Sequence, residues 1–283
     1  MIGRNKFPAA FGALGALTLL LAGPPCGSAS AAAPNQDLKA CLTLAETQPE
    51  AALERARAWD AAGGGTPARL CQGLALFHRG DFAESGRILE ALAMAVERED
   101  GRGKAAILGR AGWAWLRAGD SGRAERLYSA ALELQPGDAD LLVDRAIARA
   151  EGERFWDALA DLDAVLAKES GRADAWLYRA AAHKALGNTR QALADVAQAL
   201  ELRPGDPEAL LLRGNLKLAT GDAQGAREDW KLVLRLAPNG GPGRAARGNL
   251  DGLDRAEAEA GPKGGPAPQA EPQPQPQSPK AAQ

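Results

Sequence analysis

From Asp37 to Ala260 the chain is written in short runs in which apolar and small residues return every three or four positions, the spacing that gathers them on one helical face. Each run is closed by a glycine-containing turn or by a proline. Residues 34–65 form a degenerate first pair of runs, Asp37 to Glu46 and then Pro49-Glu50-Ala51 opening a helix to about Ala62. Proline just inside a helix start, with glutamate beside it, suits the free amides and positive end of that helix. Gly63-Gly64-Gly65 reads as a helix stop, because no Gly-Lys-Ser/Thr follows and no strand precedes as a phosphate loop requires. The second pair, 66–104, has Gly80-Asp81-Phe82 at its turn and is lengthened by a polar loop, Glu99 to Lys104.

Four further pairs follow at 105–138, 139–172, 173–206 and 207–240, an interval of 34 residues. The copy at 207–240 sets Arg213-Gly214, Gly221-Asp222, Ala226, Val233 and Pro238 against Arg179-Ala180, Gly187-Asn188, Ala192, Ala199 and Pro204 of the copy before it. The copy at 105–138 has Gly112, Trp115, Gly119-Asp120, Ala124, Tyr128, Ala131 and Pro136 at the same places; that at 139–172 keeps Ala146, Phe155 and Ala158 but has Ser170 where the closing proline belongs. This pattern resembles the tetratricopeptide repeat, with its small residue at the helix crossing, glycine turn, two alanines seven apart and closing proline. The resemblance implies an all-α, right-handed superhelical solenoid of about six helix-turn-helix repeats. Residues 241–260 then supply a capping helix, in which Leu250 and Leu253 face the stack and the rest faces water.

The two ends are compositionally different. Arg4 and Lys6 precede an apolar run, Phe7 to Gly23, and a small-residue stretch with Ala29-Ser30-Ala31, which reads as a cleavable signal peptide over 1–31. The apolar run is short for a membrane span and is broken by Pro8 and Gly12, so no stable insertion is expected after cleavage. Cys26 follows Pro24-Pro25, an unsuitable lipidation context. Heavy alanine, glycine and arginine usage fits a GC-rich bacterial genome, which makes the expected destination the periplasm or the exterior. Residues 261–283, with Pro272-Gln273-Pro274-Gln275-Pro276-Gln277, read as a disordered tail of polyproline character, either a solvated end or a spacer or docking strip.

Export changes the meaning of the cysteines. Cleavage leaves Cys41 and Cys71, an even number in an oxidising compartment, each in the first helix of adjacent pairs. A structural disulfide is the expected state, with buried free thiols and a redox dithiol as the alternatives; the close Cys-x-x-Cys spacing that redox work favours is missing.

The formal net charge is −2, which offers no basic stripe for nucleic acid. Three consecutive repeats carry arginine at the seventh position and aspartate at the twenty-third: Arg145 with Asp161, Arg179 with Asp195, and Arg213 with Asp229. Constant spacing over three copies predicts structural ion pairs between the two helices of each repeat, where a single such pair could be a catalytic acid or a clamp. His78 and His183 are the two histidines and lie in separate repeats, which leaves no Ser-His-Asp or Cys-His arrangement and no metal-ligand spacing. Neither a catalytic residue, a cofactor nor a metal is expected.

In the family this sequence resembles, the first helices line a concave groove through their second, fifth, ninth, twelfth and thirteenth positions. Carried over, these give Leu70, Leu74 and Phe77; Trp113, Leu116 and Arg117; Val143 and Ile147; Leu177 and Lys184; and Leu211 and Asn215. Asp140, Asp174 and Glu208 place acidic groups near one edge. Leu70, Gly109, Val143, Leu177 and Leu211 stand where the family's carboxylate clamp needs polar groups, so a chaperone-tail adaptor is not expected. The resemblance implies a non-enzymatic adaptor that binds a segment of another protein, in envelope assembly or secretion. The competing readings are a self-associating module whose groove is filled by another copy, and a subunit of an envelope enzyme.

Overall fold

The computed structural model describes residues 34–97 and 101–260; the expected signal peptide with Cys26, and the tail from Gly261 onward, lie outside them. These residues form thirteen helices, with no strand among them. They pair in chain order as α1 (Pro34–Thr47) with α2 (Pro49–Ala61), α3 (Gly65–Arg79) with α4 (Phe82–Ala95), and α5 (Gly101–Arg117) with α6 (Ser121–Leu134). Then come α7 (Ala139–Glu151) with α8 (Phe155–Leu166), α9 (Ala173–Ala185) with α10 (Thr189–Leu202), α11 (Pro207–Ala219) with α12 (Ala223–Leu236), and α13 (Gly241–Ala260) alone. The result is an all-α repeat solenoid. None of the described helices is long and apolar enough to cross a membrane.

The turns inside the pairs repeat one piece of chemistry. The amides of Asp81, Asp120, Arg154, Asn188 and Asp222 each reach back across the turn to the carbonyls of Leu76, Trp115, Arg149, His183 and Lys217, at 2.8–2.9 Å. This six-to-one bond closes a helix only if the residue before the donor takes a left-handed conformation. Gly80, Gly119, Gly187 and Gly221 do so; Glu153, with φ 59°, is the exception in the fourth turn. Aspartates then cap the helices that follow: Asp120 accepts from the Arg123 amide at 2.8 Å and Asp222 from the Gly225 amide at 2.8 Å. Asp206 takes the amides of both Glu208 and Ala209, ahead of Pro207 at the first helical position.

The core runs between the two layers of helices. Ala124, Ala158, Ala192 and Ala226, one per repeat, are fully buried where the second helix crosses the first, and Ala131, Val165, Ala199 and Val233 lie buried seven residues further on. Neighbouring first helices (α5 with α7, α7 with α9, α9 with α11) also touch one another, and no two described second helices approach as closely, so the array curves with the first helices inside. At its end, α13 buries Ala246 and Leu250 against α12 and α11 of its own chain, and Arg227 of α12 holds Glu257 at 2.8 Å and also pairs with Asp254. At the other end a disulfide joins Cys41 of α1 to Cys71 of α3, with the Cα atoms 6.1 Å apart.

One expectation is corrected. Gly101 to Lys104 are not loop: they form the first turn of α5, which is longer than the other first helices. Lys104 Nζ donates to the Val96 carbonyl at 3.1 Å, tying the new turn to the end of α4, so the polar residues there sit on the wet side of a helix start.

Candidate functional site

The charged residues that look most chemical are structural. Arg145 Nε and Nη2 donate to the two oxygens of Asp161 at 3.0 and 2.7 Å. Arg179 does the same to Asp195 at 2.8 and 2.7 Å, and Arg213 to Asp229 at 2.9 and 2.6 Å. All three carboxylates are buried. The residue one turn after each arginine brings a second basic side chain to the same carboxylate, on the same helical face. Arg149 Nη1 reaches Asp161 at 2.7 Å, Lys217 Nζ reaches Asp229 at 2.9 Å, and His183 Nε2 stands 3.9 Å from Asp195. Burial opposes the ionised form of Asp229, but hydrogen bonds from Arg213 and Lys217 outweigh it and hold the carboxyl below its ordinary range. Arg179 also grips Asp163 of the preceding repeat at 2.7 Å, which joins two pairs of helices. The three buried carboxylates are saturated and turned away from solvent. No cluster of three or more potential metal ligands occurs among the described residues.

The open surface is the inner face. In four consecutive repeats the sixth position of the first helix lines a hollow: Arg110 and Asp144 in one, Tyr178 and Leu212 in another. The larger hollow, about 620 Å³, lies between α3, α5 and α7 and is walled by Leu74, Phe77, His78, Trp113, Leu141 and Asp144 among others. It lies where α3 stands further from α5 than the other first helices stand from their neighbours. The second, about 410 Å³, is predominantly apolar, lined by Leu177, Tyr178, Leu211, Leu212 and Asn215, and closed by Gly241 and Pro242 at the start of α13.

Of the twelve side chains carried over from the family pattern, Leu74, Phe77 and Trp113 line the first hollow and Leu177, Leu211 and Asn215 the second. The other six do not. Val143 is buried, only 4% exposed, and is withdrawn as a contact residue: a valine at this position is too short to emerge between α7 and its neighbours, whereas leucine at 177 and 211 does. Leu70 and Leu116 pack against the core around α4, α5 and α6, and Ile147 against that of α7 and α8. Arg117 turns back over the Phe82 ring, 4.7 Å from its centroid, and exposed Lys184 lines neither hollow.

Asp144, Arg172 and Tyr178 escaped the sequence reading. Arg172, just before α9, forks onto Asp174 at 3.0 and 2.7 Å and reaches Asp140 at 2.8 Å. Asp138 spends an oxygen on the Leu141 amide. Asp144, one turn further along α7 and deeper, has no such partner. Burial, then Asp140 and Asp138, push its carboxyl up to about 6 against the pull of Arg172. Beneath it Tyr128 is fully buried with an unpartnered hydroxyl, and that hydroxyl is raised first by burial and then by the Asp144 charge. The signal for these residues is the sixth position itself: Arg110, Asp144, Tyr178 and Leu212 differ in character at constant spacing, as a variable contact position would.

Residues 173–216 match the family model described as tetratricopeptide repeat. No curated protein matches the sequence. Among solved structures, TTC0263, described as a thermophilic TPR protein in Thermus thermophilus, superposes with a TM-score of 0.55 at 18% identity, over 67% of this chain and 99% of its own. MamA from Desulfovibrio magneticus RS-1, residue 41 to the end, superposes with a TM-score of 0.52 at 20% identity, over 61% of this chain and 94% of its own. At these identities the likeness is one of fold.

Proposed function

Since residues 173–216 match the tetratricopeptide-repeat model and the array has the fold of such repeats, we propose that the chain is a non-enzymatic scaffold that holds a segment of another protein along the inner face of the array. The observation that carries this is the hollow between α3, α5 and α7, where Trp113, 36% exposed, stands beside Leu74 and Phe77 on a surface that the described residues leave uncovered. Contiguous apolar surface of this kind marks an interaction site, and a groove between helices suits an extended or helical segment with apolar anchors. The cap α13, which would be the natural element to cover a second copy, uses its apolar face on its own α12 and α11, which favours an external partner over self-association.

The scaffold is proposed to work outside the cytoplasm, in envelope assembly or secretion. The charged-then-apolar start of the sequence and the Cys41–Cys71 bond, a linkage suited to an oxidising compartment, support this. The test is a selection of random peptides on the purified protein, run beside its Trp113→Asp variant with helicity checked by circular dichroism. Enriched peptides that share a motif and are lost from the variant support the groove. No enrichment, or the same peptides held by the variant, would overturn it.

A further inference from the structure

We propose that the hollow between α3, α5 and α7 takes a protein segment that presents a lysine or arginine, its cation seated against Asp144 and its flanking apolar side chains on Leu74, Phe77 and Trp113. This rests on the scaffold reading above and names the chemistry of its partner.

Asp144 is the carboxylate of this wall that is left for a cation from outside. Four carboxylates, Asp138, Asp140, Asp144 and Asp174, share one guanidinium, that of Arg172, and its hydrogen bonds go to Asp140 and Asp174. Asp138 is committed as a helix cap, which leaves Asp144 facing the hollow without a hydrogen bond or an ion pair. Arg102 and Arg110 line the same hollow from α5, but no ion pair joins either to these carboxylates. A half-buried carboxylate without a partner is unfavourable for the free protein, and a bound cation relieves it.

Tyr128 lies beneath this wall, fully buried and outside the lining of the hollow. Its ring passes beneath Gly112, where a Cβ would stand 2.9 Å from the ring, and its buried hydroxyl meets no partner although the Asp144 charge acts on it. An ammonium or guanidinium brings donors for the carboxylate of Asp144. A metal ion suits the site less well, since no group of three or more potential metal ligands is gathered among the described residues. The apolar part of the wall supplies contact for the aliphatic stem and its neighbours.

The groups that face Asp144 are Asp138 and Asp140 on its own helix, Arg172 ahead of α9, Tyr178 on α9 and Tyr128 on α6, with Arg102, Arg110 and His78 on the remaining walls. A carboxyl that titrates near 6 in the free protein holds a cation only when ionised, so affinity for a basic segment rises with pH through about 6.

The experiment uses the peptides enriched on the wild-type protein, each remade with citrulline, the neutral isostere of arginine, or with norleucine for lysine. Binding is measured by fluorescence polarisation between pH 5 and 8 to wild type, Asp144→Asn and Trp113→Asp. Enriched peptides are expected to carry a basic residue, and its neutral isostere to bind wild type about 10- to 100-fold more weakly, the range for a hydrogen bond to a charged group. Asp144→Asn should bind both forms alike and lose the pH dependence, while Trp113→Asp binds neither. Peptides that need Trp113 but show no basic preference, or a preference that survives Asp144→Asn, would overturn the inference and leave the scaffold standing. If the selection enriches nothing, both readings fall. Concentration-dependent dimerisation abolished by Trp113→Asp would then assign the hollow to a second copy.

Discussion

Gly214 lies against the Trp230 indole so closely that a Cβ built on it would stand 2.6 Å from Nε1 and 2.8 Å from Cδ1. The same two positions, sixteen residues apart, pair Gly73 with Leu89 and Gly112 with Tyr128, while the intervening repeats have Ala146 with Leu162 and Ala180 with Val196. Glycine therefore accompanies both aromatic residues, and alanine two of the three aliphatic ones, so at Gly112 and Gly214 the helix crossing keeps its spacing by compensating volume. Gly214→Ala is expected to destabilise by about 1–3 kcal/mol through overpacking. Adding Trp230→Val to it should cost less than the sum of the two single changes. Chemical denaturation of the four proteins measures the coupling, and strict additivity would show that the two residues do not share one space.

The three ion pairs should respond unequally to loss of their arginine. Removing Arg145 leaves Asp161 with Arg149 at 2.7 Å, and removing Arg213 leaves Asp229 with Lys217 at 2.9 Å, but removing Arg179 leaves Asp195 with only His183 at 3.9 Å. Breaking a buried pair costs about 3–5 kcal/mol because one charge stays behind unpaired. Arg179→Ala should approach that range, and Arg145→Ala and Arg213→Ala should fall clearly below it. Equal losses in urea denaturation would mean that the second basic residue contributes nothing. Asp229, held below its ordinary range, contributes stability that is present above about pH 4 and is lost as pH falls through its folded value.

Glu153 stands where four other turns have glycine, with φ 59°. A side chain in this region is strained by contact with its own backbone. Glu153→Gly is therefore expected to raise stability, by about 0.5–1 kcal/mol once the greater freedom of glycine in the unfolded chain is deducted. Thermal unfolding checks this, and a lower midpoint would refute it.

The helices and their pairing were legible because they depend on residues close in sequence: glycine turns, aspartate caps, and small residues at a fixed interval. Arg145 and Asp161 could be joined because three copies repeat the spacing. The groove was only half legible. Its lining depends on how far each first helix stands from the next, which no local pattern records, and on side-chain length, which leaves Val143 buried while Leu177 emerges. The first turn of α5 reads as loop in the sequence because its residues, Gly101 to Lys104, are polar and glycine-rich. Asp144 was missed because its importance lies in lacking a partner, a property of the assembled wall.

Reduction of the Cys41–Cys71 bond should weaken the start of the array most. The bond spans 30 residues and joins α1 to α3, a loop whose closure is worth about 3–4 kcal/mol. Cys41→Ala/Cys71→Ala is expected to lose much of this, with faster hydrogen exchange in α1 and α2 and little change from α7 onward, since repeat arrays lose structure locally. Intact-mass analysis after alkylation without reduction reports the state directly, and two modified cysteines in the unreduced, denatured protein would rule the bond out.

Asp144→Asn should strengthen the fold that Asp144 weakens. Its carboxyl titrates at about 6 in the folded protein against 3.8 for the ordinary group, so between those values the native state binds more protons than the unfolded chain. Stability therefore falls as pH rises across that window, and the deficit persists above it. At 1.36 kcal/mol per pKa unit the amide should recover about 3 kcal/mol at pH 7, or several degrees in Tm, and almost nothing at pH 3.5. Thermal melts of both proteins at the two pH values decide it. A variant less stable than wild type at pH 7 would mean that Asp144 already has a favourable partner inside the chain. A gain in stability joined to a loss of binding would identify a carboxylate kept at the expense of the fold, as binding sites commonly are.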